Sequence, residues 1–202
     1  MEGQNMIFAK ENTSVVVPQA YALYSNPETG ENYTVMEQIH RETLLSLWPE
    51  LSQSDKDLIM TTLRSYFDEM RRLPSPGYYG SLGGGAVLDE IFWTKEAEAS
   101  INGPFASEDA VNEAFARKYV YDGRPPFRAE FYRQCLPHIL HGYSPTFTHG
   151  DFQRKNIIVQ RSEEEDQMGQ EVNQGMRVVL SDWEKSGCYP SHWEYCLAVC
   201  AL

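Results

Sequence analysis

Thr146-Phe147-Thr148-His149-Gly150-Asp151-Phe152-Gln153-Arg154-Lys155-Asn156-Ile157-Ile158-Val159 decides how this chain is read, together with its counterpart Val178-Val179-Leu180-Ser181-Asp182-Trp183-Glu184. Ile157 to Val159 and Val178 to Leu180 are short β-branched runs. The segment between them, Arg161 to Gly175, carries Glu163-Glu164-Glu165-Asp166 and has nothing to pack. A β-hairpin with a solvated acidic tip is therefore expected. Asn156 stands just before the first run and Asp182 shortly after the second, so antiparallel pairing would bring their oxygens to one end of the hairpin. Asp or Asn at a strand end is commonly a turn former. Here Asp151, Asn156 and Asp182 coincide with two apolar strands, which favours a shared chemical role.

Upstream of this stretch, Pro125-Pro126 opens a helix predicted to bury Phe127, Phe131, Cys135, Leu136 and Ile139. Before it, Ser107 caps a helix bearing Val111, Ala114, Phe115 and Tyr119. Glycine and proline dominate from Pro74 to Pro104, an irregular connection. A long helix precedes that, with Ser54 as cap, Asp57 as its partner and Leu58, Ile59, Thr62, Leu63, Tyr66, Phe67 and Met70 on one face. Arg71, Arg72 and Pro74 close it. Nearest the start, Ala20 to Tyr24 and Tyr33 to Gln38 flank the turn-rich stretch Ser25 to Glu31 and read as a hairpin. Strands, then helices, then a polar hairpin make an α+β chain.

Composition narrows the function classes. The 202 residues are 42% hydrophobic and 12% aromatic, enough for a packed core and too aromatic for a disordered chain. With 17 Lys plus Arg against 29 Asp plus Glu the net charge is -12, which opposes nucleic acid and anionic lipid as partners. No apolar run suggests a membrane span and the start lacks signal-peptide character, so a cytoplasmic protein is expected. Cys135, Cys188, Cys196 and Cys200 include no CxxC pair and read as reduced thiols. His192, Cys196 and Cys200 share helical spacing but offer only three soft ligands, so zinc is not expected.

The pattern His149-Gly150-Asp151, then Asn156, then a hydrophobic strand ending in Asp182 resembles the HGDxxxxN signature of the aminoglycoside phosphotransferase and choline kinase family. The family fold is similar to that of protein kinases, whose catalytic loop has the same Asp-to-Asn spacing, with Gly150 here in place of Arg. Tyr78-Tyr79-Gly80-Ser81-Leu82, Gly103-Pro104-Phe105 and Trp193-Glu194 also look like recurring family elements, and Glu11 to Pro18 is similar to a segment of fungal members. The resemblance implies a protein-kinase-like α+β fold with a residual N-lobe over 1–36, a linker over 37–40 and a mostly helical C-lobe over 41–202. The C-lobe would hold the catalytic loop at 147–160 and the metal-binding strand end at 177–184.

The chemistry that the resemblance implies is ATP-dependent transfer of phosphate to a small-molecule hydroxyl. By the same resemblance Asp151 is the catalytic base and His149 organises its loop by hydrogen bonding. Asn156 and Asp182 supply hard oxygen ligands for Mg²⁺. Glu37, Gln38 and Ile39 would lie near adenine, and Glu2 would be the helix glutamate that pairs with an ATP-binding lysine. Gly150 is expected to permit a backbone angle that a side chain would resist.

Members of the family also carry a Gly-rich hairpin and a strand lysine ahead of the position of Glu2, and the sequence has neither. Gly83-Gly84-Gly85 follows the long helix and lacks a GKS or GKT, so it reads as a loop. The expectation is an N-terminally truncated member with impaired transfer, since these parts supply much of the electrostatic stabilisation. A second reading, from another class, is a non-catalytic kinase-like binding module or a truncated gene-model fragment with exposed apolar surface. The acceptor and the oligomeric state stay open.

Overall fold

The computed structural model describes residues 2–40, 42–161 and 176–200. The acidic tip expected between the two β-branched runs lies outside the described residues except for Arg161. The chain opens with α1 (Glu2–Asn12), β1 (Ala20–Ser25), β2 (Asn32–Met36), β3 (Glu42–Thr43), α2 (Leu44–Leu47) and α3 (Gln53–Arg72). It continues through β4 (Gly80–Ser81), α4 (Ala99–Asn102), α5 (Glu108–Tyr121), α6 (Pro126–Ile139) and β5 (Pro145–Thr148). The last elements are β6 (Ile157–Arg161), β7 (Met176–Leu180), β8 (Gly187–Pro190) and α7 (Trp193–Cys200), with single 3₁₀ turns at Glu90–Phe92 and Arg154–Asn156. The residues fall into two compact units, 1–72 with 152–183 and 73–151 with 184–202.

In the first unit, β1 and β2 form the expected antiparallel hairpin, with Tyr24 opposite Tyr33 and their rings stacked at 5.1 Å. No third strand joins this sheet among the described residues. Tyr21, Leu23, Tyr24, Tyr33 and Val35 consequently remain exposed. A second sheet, ordered β3-β6-β7, contains the hairpin expected from Ile157 to Val159 and Val178 to Leu180. Its register sets Ile157 opposite Leu180 and Ile158 opposite Val179.

Two long-range anchors hold α3 in this unit. The Tyr66 hydroxyl donates to the Val178 carbonyl at 3.0 Å, and Glu69 accepts from both the backbone N–H and the hydroxyl of Ser14. The helix starts earlier than Ser54 would place it. Ser52 and Asp55 form a reciprocal capping box, Oγ to the Asp55 N–H and carboxylate to the Ser52 N–H, which satisfies donors that a cap at Ser54 would leave open. Ile59, Leu63, Tyr66 and Met70 make the buried stripe, while Leu58 turns to solvent.

In the second unit, a sheet ordered β4-β8-β5 packs with α5 and the 3₁₀ turn around Tyr79, Val87, Phe92, Phe105, Val111, Ala114, Tyr189 and Trp193. Ser107 caps α5 as expected, accepting from the Ala110 N–H at 3.2 Å. The expected burial of α6 is corrected: Phe127, Phe131 and Ile139 are exposed, and Ala129 is the residue buried most fully. The helix is apolar on more than one side, and contacts with α5 choose the side. Arg133 donates to Glu113 at 2.9 Å and Tyr132 meets Tyr119 edge-on at 5.2 Å, which rotates the aromatic stripe outward. The connection over 74–104 is irregular, with only short elements in it.

Candidate functional site

The signature residues are divided between the units, with His149, Gly150 and Asp151 in the second and Asn156 and Asp182 in the first. In the second unit, β5 delivers the chain to His149, which is 1% exposed. Its backbone N–H donates to the Glu194 carboxylate at 2.9 Å and its carbonyl accepts the Ser186 hydroxyl at 2.7 Å. The ring Nδ1 accepts the Asp151 N–H at 3.3 Å, so the imidazole braces the main chain of the residue two positions on. Asp151 is 7% exposed.

Gly150 has φ +85°, and a Cβ built there would stand 2.3 Å from the Lys185 carbonyl oxygen. That oxygen also accepts the Tyr189 hydroxyl at 2.7 Å, so it cannot easily withdraw. Gly150→Ala would incur both the left-handed penalty of about 1–2 kcal/mol and the clash. A fall of roughly 2–8 °C in Tm is expected for the angle alone, read by circular dichroism. Gly123 has φ +74° with open space around it, so Gly123→Ala should lose less than Gly150→Ala. Equal losses would remove the argument from close approach.

Sequence reasoning did not single out Lys185, whose ammonium donates to Glu90 at 3.1 Å. Burial pulls its pKa down, but the hydrogen bond to Glu90 and the negative charges of Asp151, Glu90 and Asp89 more than offset this and hold it above the ordinary lysine range. Asp151 thus shares its unit with a fixed positive charge. Asp89 in turn caps the 3₁₀ turn through the Ile91 N–H and accepts the Trp193 indole N–H at 3.2 Å. The scattered motifs converge here: Tyr79 and Phe105 exchange backbone hydrogen bonds, β4 pairs with β8, and Trp193-Glu194 contributes a core ring and the carboxylate on His149.

In the first unit, Asn156 closes its 3₁₀ turn beside β6 and is 6% exposed. Its carbonyl accepts both the N–H and the hydroxyl of Ser181, at 2.9 and 3.0 Å, clamping the open end of the hairpin. Asp182 follows with φ +66°, the one non-glycine positive φ among the described residues. An Asp tolerates that region better than most residues, yet it is a costly conformation and such angles gather at functional sites. Trp183 is wholly buried and holds the turn from both sides: its indole donates to the Leu180 carbonyl at 2.8 Å, and its own carbonyl accepts Asn5 Nδ2 of α1 at 2.7 Å. Glu2 sits in the first turn of α1, half-buried. Glu37 follows β2, where its carboxylate accepts the Gln19 N–H and faces Arg177 at 4.0 Å; Gln38 and Ile39 continue as irregular chain.

The donor set Asn156 and Asp182 consists of oxygens, which suits a hard cation that takes its remaining ligands from phosphate and water. Among the described residues no group of three His, Cys, Asp or Glu could hold a metal by itself. Cys135 and Cys188 are free thiols, and burial pushes the Cys188 thiol up to about 11. No helix among the described residues is long and apolar enough to cross a membrane.

This arrangement, a mixed helix and sheet chain with an HGD loop and a two-stranded hairpin ending in Asp, has the protein-kinase-like fold. The solved structures it is similar to are small-molecule kinases. A Haemophilus somnus protein described as a fructosamine-3-kinase superposes with TM-score 0.57 at 13% identity, over 96% of this chain and 56% of that one. Aminoglycoside phosphotransferase APH(4)-Ia, in a ternary complex with ADP and hygromycin B, gives TM-score 0.57 at 10% identity, over 97% of this chain and 59% of that one. Its apo form gives 0.54 at 11% identity, over 95% and 58%. The chain thus spans less than three fifths of the length of these structures. No family model and no curated protein sequence matches it.

Proposed function

We propose that the chain carries the machinery of an ATP-dependent phosphotransferase acting on a hydroxyl of a small molecule. The observation that carries this reading is Asp182 in the left-handed region, directly beyond a hairpin end clamped by Asn156. Asn156 and Asp182 would hold Mg²⁺, which when bound neutralises charge on the nucleotide phosphates. Asp151 accepts the proton of the acceptor hydroxyl as its oxygen bonds to the γ-phosphorus and the bond to the ADP oxygen breaks. His149 acts as a positioning residue through the Asp151 N–H. Glu37 to Ile39 form the adenine-facing linker of this reading, and Glu2 its helix carboxylate. The ADP bound to one structural neighbour accords with nucleotide use. The protein is taken to work in the cytoplasm.

The test is calorimetric titration of the chain with Mg·ATP. Saturable binding is expected, weakened about 10- to 100-fold by Asp182→Ala, the usual range for disturbing a metal site. Absence of binding to the folded chain, or equal binding by the variant, would favour the non-catalytic module instead.

A further inference from the structure

The second unit keeps a cavity that its own side chains do not fill. It measures about 550 Å³, and its walls are Ile91 from the 3₁₀ turn at Glu90–Phe92, Phe115 and Tyr119 from α5, and Tyr132, Leu136 and Leu140 from α6 and its end. Ile91 is 47% exposed and the other five are half-buried, so the apolar faces that form this concavity stay open to water. Covering them is favourable, and the volume is that of a small-molecule site. The walls are held from behind. The Phe115 ring packs on Phe92 at 4.9 Å and on Trp193 at 5.9 Å, and Asp89 accepts the Ile91 N–H at 2.8 Å. Arg133 ties α6 to Glu113 of α5 at 2.9 Å. A ligand therefore has little ordering to impose.

Charge selects the occupant. Glu90, Lys118 and Asp122 also line the cavity. Lys118 pairs with Asp122, and Glu90 accepts from Lys185 at 3.1 Å, so each charge at the rim is already balanced. A charged ligand would give up hydration against aromatic and leucine side chains without gaining an uncompensated partner, whereas an uncharged one escapes that loss. Each ion pair uses one carboxylate oxygen, Asp122 Oδ1 or Glu90 Oε1, which leaves a second oxygen able to accept from a ligand hydroxyl. Three aromatic walls, Phe115, Tyr119 and Tyr132, suit a ring in stacked or edge-on contact.

We propose that this cavity binds an uncharged, ring-bearing alcohol, with its ring among Phe115, Tyr119 and Tyr132 and its hydroxyl donating to a rim carboxylate. The site lies wholly within the second unit and does not rest on the phosphotransferase reading.

The probe is 2-naphthol, titrated by calorimetry into the 202-residue chain with neither nucleotide nor metal present. Saturable binding is expected. Leu136→Trp, which fills the cavity, and Ile91→Asp, which places a charge on its wall, should each weaken it about tenfold or more. Ile91 is exposed, so its variant should fold even if the larger side chain at Leu136 does not, and circular dichroism checks both. Phe127→Asp is the control: Phe127 is 72% exposed on α6 and does not line the cavity, so binding should match the parent. The charged analogues 2-naphthalenesulfonate and 2-naphthylmethylammonium should bind about tenfold or more weakly than 2-naphthol. No saturable binding to the folded chain, parental affinity in the folded cavity variants, or an equal loss in Phe127→Asp overturns the site. A charged analogue that binds as tightly as 2-naphthol overturns the uncharged class. Because nucleotide is absent throughout, the result is separate from that of the Mg·ATP titration.

Discussion

Asp151→Asn is expected to lower phosphoryl transfer by about two to four orders of magnitude while leaving the fold and Mg·ATP binding in place. The substitution keeps size and shape but removes the oxygen proposed to take the acceptor proton. The loop around it is held by groups that do not depend on the Asp151 charge: Glu194 on the His149 N–H, Ser186 on the His149 carbonyl, and His149 Nδ1 on the Asp151 N–H. Loss of rate should therefore appear in kcat, with the KM for ATP little changed. The measurement is steady-state turnover with an acceptor found by screening, beside a thermal melt of each protein. An Asn variant that turns over like the parent would end the assignment of Asp151 as base.

Trp183→Ala is expected to cost about 3–5 kcal/mol of stability, the usual range for emptying a buried aromatic site. Trp183 is among the largest fully buried side chains, and its removal also frees the Leu180 carbonyl from its indole partner. Because Trp183 follows Asp182 directly, and its carbonyl ties the turn to Asn5 of α1, the left-handed angle at Asp182 should relax as well. Chemical denaturation should show a lower midpoint, and Mg·ATP binding should weaken even under conditions where the variant is folded. Trp183→Phe separates the two roles: it refills most of the volume without restoring the N–H donor. A Trp183→Ala protein as stable as the parent would mean that this ring does not hold the strand end.

The local features were legible because they depend on neighbours in sequence. Alternation and β-branching between turn residues announced the hairpins of β1 with β2 and of β6 with β7, and Ser107 announced the start of α5. The left-handed angle at Gly150 was likewise foreseeable from the residue type in a polar loop. The start of α3 was displaced because Ser52 with Asp55 and Ser54 with Asp57 are competing capping pairs, and only the course of the preceding chain from α2 selects between them. The outward turn of Phe127, Phe131 and Ile139 on α6 was not legible, since its rotation is set by Glu113 and Tyr119 on another helix.

For this protein the sequence by itself determined the two hairpins and the main helices, since periodicity and turn chemistry are properties of short segments, and the spacing of Asp151, Asn156 and Asp182 on which the resemblance to the kinase-like class rests. Tertiary structure decided which groups stand next to them. Glu194 reaches His149, Lys185 donates to Glu90, Asn5 grips the Trp183 carbonyl, and Arg154 and Lys56 each approach the Trp48 ring. Nearly all of these partners are remote along the chain, and burial with charge compensation, which acts between neighbours in space, chooses among many equally suitable polar residues.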